Sequence, residues 1–135
     1  MAFVQCGTKL LESYKNLAGK HVINYATSHN RLSELFPKYI QNWIKERREL
    51  PTTLHIIYPE SQRGTVSWHP DQYQREHVRY IPDEFLTIGE ITCTGTKTML
   101  FSFEQHEEHA VVIDSQDIAN TIQRMLKFMW HFAKE

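Results

Sequence analysis

Little in this sequence is in excess, and each shortage narrows what the protein can be. Its 135 residues carry 15 lysines and arginines against 16 aspartates and glutamates, a formal net charge of −1. That balance lacks the basic surplus behind broad, salt-dependent attraction to nucleic acid. There are only two cysteines, Cys6 and Cys93, far apart and in no CxxC pair. We therefore expect reduced thiols and a cytoplasmic protein. No apolar run approaches the roughly 20 residues that cross a bilayer. The N-terminus carries no signal-peptide pattern, so no membrane partner is expected. There is no internal repeat and no low-complexity tract. What remains is a single domain, residues 1–135, long enough to bury a core.

The most patterned stretch is Gly89 to Glu135. It predicts a strand over Glu90–Cys93, a turn at Thr94–Lys97 around Gly95, and a strand over Thr98–Phe103. A polar turn over Glu104–His109 follows. Ala110–Ile113 is a continuous apolar run of the kind buried on both faces. Asp114 or Ser115 then caps a long closing helix, with Asp117 well placed in its first turn. At about 100° per residue, Asn120, Gln123, Arg124, Lys127, His131 and Lys134 form one polar face. Ile118, Ile122, Met125, Leu126, Met129, Trp130, Phe132 and Ala133 oppose it, with Phe128 at the edge. That apolar arc is roughly 200° wide, against roughly 100° for a helix lying on a core. Either the helix is deeply buried, or part of the arc meets a second subunit or another domain.

The earlier chain reads as alternating helices and strands. Residues 8 to 18 form a short amphipathic helix stopped by Gly19. Lys20–Ala26 is a strand, and Thr27–Asn30 a loop rich in capping residues. Arg31–Glu49 carries a 3.6-residue apolar stripe, with Pro37 either kinking the helix or opening it at its first position. Thr53–Tyr58 is a strand stopped by Pro59, and Glu60–Trp68 a polar loop. His69-Pro70-Asp71 starts a short helical turn through about Glu76, and Val78–Ile81 is a strand. Strand, helix, strand favours a parallel pair, and the terminal hairpins add antiparallel strands. We expect an α/β fold, a mixed sheet sandwiched by helices with a long C-terminal helix.

Several motifs in this order resemble the C-terminal effector domain of TrmB-type, sugar-sensing transcriptional regulators. They are Gly7 with the helix to Tyr14, the long helix with Arg48 near its end, and the strand closing in Ile57-Tyr58-Pro59. To these add Val78-Arg79-Tyr80-Ile81-Pro82, the hairpin at Gly95–Lys97 leading to Ser102, and Val112-Ile113-Asp114-Ser115-Gln116-Asp117-Ile118-Ala119. The likeness runs from about Gly7 to Ala133, and the last block is the most specific. It implies a phospholipase-D-like fold, related to phosphodiesterases that use a His-x-Lys motif. None of the eight histidines, at 21, 29, 55, 69, 77, 106, 109 and 131, has a lysine two residues later. The resemblance thus implies a binding domain without the enzyme's chemistry. It also implies a winged helix-turn-helix ahead of the effector domain, for which these residues have no room. DNA contact is therefore expected only through a DNA-binding domain absent from this chain.

The candidate ligand site lies beyond the carboxyl ends of the strands, where open α/β sheets hold ligands. Its expected lining is Tyr25, Ser28, His29, Arg48, Tyr58 and Arg79, taking a sugar or other metabolite. The arginines compete with plainer roles, Arg47 and Arg48 as a solvated helix end and Arg79 as a structural ion pair. Trp68, Phe128 and Trp130 are candidate interface residues for a homodimer; Trp43 reads as core. His106-Glu107-Glu108-His109 sits in a turn and reads as solvated rather than as a metal site. Cys6, Cys93, Ser28 and Ser102 lack the surroundings of a nucleophile. We expect no catalytic residue, no metal and no cofactor. The alternatives are a stand-alone oligomerisation module or a phosphodiester hydrolase on the same scaffold.

Overall fold

A computed structural model describes residues 21–26, 37–50, 53–64, 76–85, 89–102 and 109–135. The expected helix over residues 8 to 18, the loop Thr27–Asn30 and the helical turn from His69 to Arg75 lie outside these. The elements are β1 (His21–Ala26), α1 (Pro37–Arg48), β2 (Thr53–Pro59), β3 (Glu76–Ile81), β4 (Glu90–Thr94), β5 (Lys97–Ser102), β6 (His109–Asp114) and α2 (Gln116–Phe132). Single-turn 3-10 helices follow β2 and β3, at Glu60–Gln62 and Asp83–Phe85.

One six-stranded mixed sheet runs in the order β3-β2-β1-β4-β5-β6. Strands β1, β2 and β3 are parallel; β4, β5 and β6 join them as antiparallel neighbours. The β4–β5 hairpin turns at Gly95, whose φ of 59° is open to glycine at no steric cost. Strand periodicity then sorts the side chains. On one face, Leu54, Ile56 and Tyr58 of β2 lie level with Glu76, Val78 and Tyr80 of β3. On the other lie Ile57 and Ile81, beneath α2. Arg47 and Arg48 of α1 meet Glu76, so the two helices approach opposite faces.

α2 is capped by Ser115, whose hydroxyl accepts from the Ile118 N–H at 3.3 Å. Asp114 is engaged elsewhere, accepting from the Thr96 hydroxyl. Leu126 and Ala133 close a cluster with Ile57 and Ile81, and Ile122, Met129 and Trp130 pack around it. Burying a side chain the size of Leu126 contributes about 2 kcal/mol. Past the helix, Lys134 exchanges two backbone hydrogen bonds with Tyr80. This single bridge partly covers the otherwise open edge of β3. No helix among the described residues is long and apolar enough to cross a membrane.

Three expectations change, and one open choice narrows. β3 begins at Glu76, not Val78, because the parallel ladder starts at Leu54 opposite Glu76. Pro59 ends β2 from within, level with Ile81, since its φ of −67° and ψ of 151° are extended backbone. Of the two readings of Pro37, the described residues match the one in which it opens α1. The apolar run of β6 is not buried on both faces, since Val111 stays 48% exposed.

Candidate functional site

The parallel strands end in a row of polar side chains. Tyr58 lies level with Tyr80 across the β2–β3 ladder. The β1–β2 ladder ends at Tyr25 opposite Ile57, one residue short of Ala26 and Tyr58, and Ala26 is paired with Glu90 across β1–β4. The order along the carboxyl edge is therefore Tyr80, Tyr58, Ala26, Glu90. α1 delivers two arginines to the same face. Arg47 Nη2 donates to Glu76 Oε1 at 2.6 Å. Arg48 donates to both oxygens of the same carboxylate, at 3.2 and 3.5 Å. Arg47 and Glu76 are both buried, each 8% exposed. An isolated ion could not stay there; each is tolerated because the other is present.

Glu90 is the unusual member. It keeps part of its surface open but is closely surrounded, and burial pushes its carboxyl up to about 7. The Thr92 hydroxyl, 3.3 Å away, and the Arg47 charge pull the other way without reversing the shift. Burial, reinforced by Glu90, also drives the Tyr58 phenol well above its ordinary range, so it remains neutral. At neutral pH the cluster therefore offers a carboxyl able to donate as well as accept, a neutral phenol, and two guanidiniums that share the Glu76 carboxylate. These groups suit hydrogen-bonded recognition of a small polar molecule.

Of the residues expected to line the site, Arg48 and Tyr58 belong to this face. Arg79 does not. Its position in β3 alternates with Tyr80, so it points to the α2 side, where Nη1 donates to the Trp130 carbonyl at 2.8 Å. Its guanidinium sits 4.5 Å from the Trp130 ring centroid. Tyr25 is placed in β1, paired with Ile57 and Ile91, with its side chain outside the described residues. Ser28, His29 and Trp68 also lie outside them. Trp130 is half-buried against the sheet, 4.7 Å from the His55 ring. Phe128 faces outward, 68% exposed. Arg47, read as a candidate solvated helix end, is buried. Sequence reasoning passed over Glu76 and Glu90. The available signal was their position, each opening a strand whose next same-face residues, Val78 and Thr92, are uncharged. Among the described residues, no group of three His, Cys, Asp or Glu side chains could hold a metal.

No protein-family model matches the chain, and no curated protein matches it by sequence. Solved structures do share its fold. One is TrmBL2, described as an archaeal chromatin protein showing a novel mode of DNA binding, with a TM-score of 0.64 and 11% identity over 97% of this chain. This chain spans about half of that protein, 51% of its length. Another is NucT from Helicobacter pylori, with a TM-score of 0.69 and 13% identity over 97% of this chain and 91% of that one. The class so defined is a mixed α/β domain closed by a long helix, on a scaffold common to TrmBL2 and NucT. At these identities the likeness is one of fold alone.

Proposed function

We propose that this chain is a non-catalytic regulatory domain of the TrmB-like kind, phospholipase-D-like in fold, that binds a small polar effector. Its site is the α1-side face of β1–β3, with Glu90 and Tyr58 at the carboxyl edge and the Arg47–Glu76–Arg48 group nearer the strand starts as recognition elements. The observation that carries the reading is Glu90. It is an enclosed carboxyl lifted to about 7 where an open α/β sheet holds ligands. A hydroxylated metabolite such as a sugar matches a carboxyl and a phenol that both donate and accept. Binding would shift the conformational population read by a DNA-binding domain. The lack of any His-x-Lys pair supports a non-catalytic role, because a histidine nucleophile would have no lysine to hold the transferring phosphate. The reading includes a single cytoplasmic domain, consistent with the buried free thiol of Cys93.

The test is a thermal-shift screen of sugars and other metabolites at pH 7, on the wild-type chain and on Glu90→Leu, which keeps the bulk and removes both donor and acceptor. A ligand at 100 times its Kd adds about 2.7 kcal/mol of stability. The expected result is a compound that shifts the wild type and shifts Glu90→Leu markedly less. If nothing shifts the wild type, or the variant responds equally, the site assignment fails.

A further inference from the structure

α2 carries two apolar stripes, and the sheet accounts for only one. The buried stripe is Ala119, Ile122, Leu126, Met129, Trp130 and Ala133. The other is Ile118, Met125, Phe128 and Phe132, exposed by 42, 58, 68 and 66%. At about 100° per residue, its centre lies roughly 110° around the helix from the buried stripe. Ile118, Met125 and Phe132 follow one another at seven-residue steps, with Thr121 and Phe128 at the intermediate positions. This is the spacing of a seam between two helices. The Phe128 and Phe132 rings already pack on each other, with centroids 4.9 Å apart.

We propose that this stripe is the interface of a homodimer, in which α2 of a second copy packs antiparallel about a two-fold axis at Met125. The seven-residue positions of the seam have the symmetry such a contact needs. Met125 is midway between Ile118 and Phe132, so Met125 meets its own counterpart and Ile118 meets Phe132 of the second copy. Charge selects the antiparallel arrangement. The first turn holds Asp117 and the last holds His131, with Lys134 and Glu135 offsetting each other just beyond. Antiparallel packing sets Asp117 of each helix beside His131 of the other and opposes their dipoles. Parallel packing would join like ends. Arg124, near the axis, can keep its charge in solvent while its stem covers the seam. The area also fits. The four exposed side chains present roughly 400–500 Å² per copy, taking 150–250 Å² for a large side chain. A standard interface buries about 800 Å² per side, so the seam forms its centre, and Asp117 and Arg124 belong to the rim. The interface is independent of the effector site on the opposite sheet face.

Sedimentation equilibrium of the 135-residue chain tests this, beside Met125→Glu and Phe128→Glu. Circular dichroism at low concentration checks that the variants fold. The wild type is expected to dimerise, and each variant to associate at least tenfold more weakly. The geometry is tested without disturbing the fold by cysteine pairing under mild oxidation. Met125→Cys alone should cross-link to itself. Ile118→Cys should cross-link only when mixed with Phe132→Cys. A wild type that stays monomeric overturns the proposal and leaves the stripe to another domain. So does a dimer indifferent to both glutamates, and so does self-cross-linking of Ile118→Cys, which marks parallel packing.

Discussion

Replacing Glu90 with glutamine should stabilise this protein, and only above acidic pH. The ordinary glutamate value is 4.5 and the folded value about 7. At pH values well below 4.5 both states carry the proton, and Glu90 has no effect on the pH dependence. Between 4.5 and about 7 the unfolded chain loses its proton first, so stability falls as pH rises. Above about 7 both states are ionised and the penalty is complete, at about 3 kcal/mol. Glutamine resembles the protonated side chain and can keep the Thr92 contact, so it removes the penalty rather than adding a cavity. Urea unfolding from pH 4.5 to 8.5 measures this directly, and the difference between the two proteins cancels every other titrating group. The curves should meet near pH 4.5 and separate to about 3 kcal/mol at pH 8, roughly 10 °C in Tm for a domain this size. Equal stabilities across the range, or a variant less stable at pH 8, would refute the placement of Glu90 in an enclosed site.

Two further predictions test the frame around that site. Glu76→Gln removes the buried carboxylate charge that Arg47 and Arg48 share and should cost about 3–5 kcal/mol in denaturant unfolding; a loss below about 1 kcal/mol would show that water reaches the pair. Leu126→Ala should cost about 2–5 kcal/mol by opening a cavity above Ile57 and Ile81. Phe132→Ala, measured as monomer at low concentration, should stay within about 0.5 kcal/mol of the wild type. Similar losses at both positions would mean the outer stripe is core.

Much of the architecture was legible because it rests on local periodicity. The alternation through β4 and β5, the turn at Gly95 and the capped closing helix all follow from neighbours in sequence. Pro37 left two readings open, and the described start of α1 matches a proline at the first helical position, where its missing N–H has no partner to lose. The failures involve residues whose partners are distant. Glu76 read as the end of a short helical turn, because nothing nearby in sequence offers its carboxylate a partner. It opens a strand when Arg47, 29 residues earlier, meets its carboxylate. Arg79 was grouped with Tyr58, but their faces differ by the parity of the β2–β3 register. Glu90 gave no local sign of its shifted titration, which comes from the burial created when β1 lies beside β4.

From the sequence alone came the alternating elements, the mixed α/β class, and a closing helix whose apolar arc was too wide for one surface. Short-range backbone preference and side-chain periodicity determine these. The tertiary structure decided how that arc divides, because a sheet covers only one side of a helix and leaves Met125, Phe128 and Phe132 outside it. It also decided which charges are buried together, because desolvation depends on the segments that meet in space, and sequence distance carries no record of that.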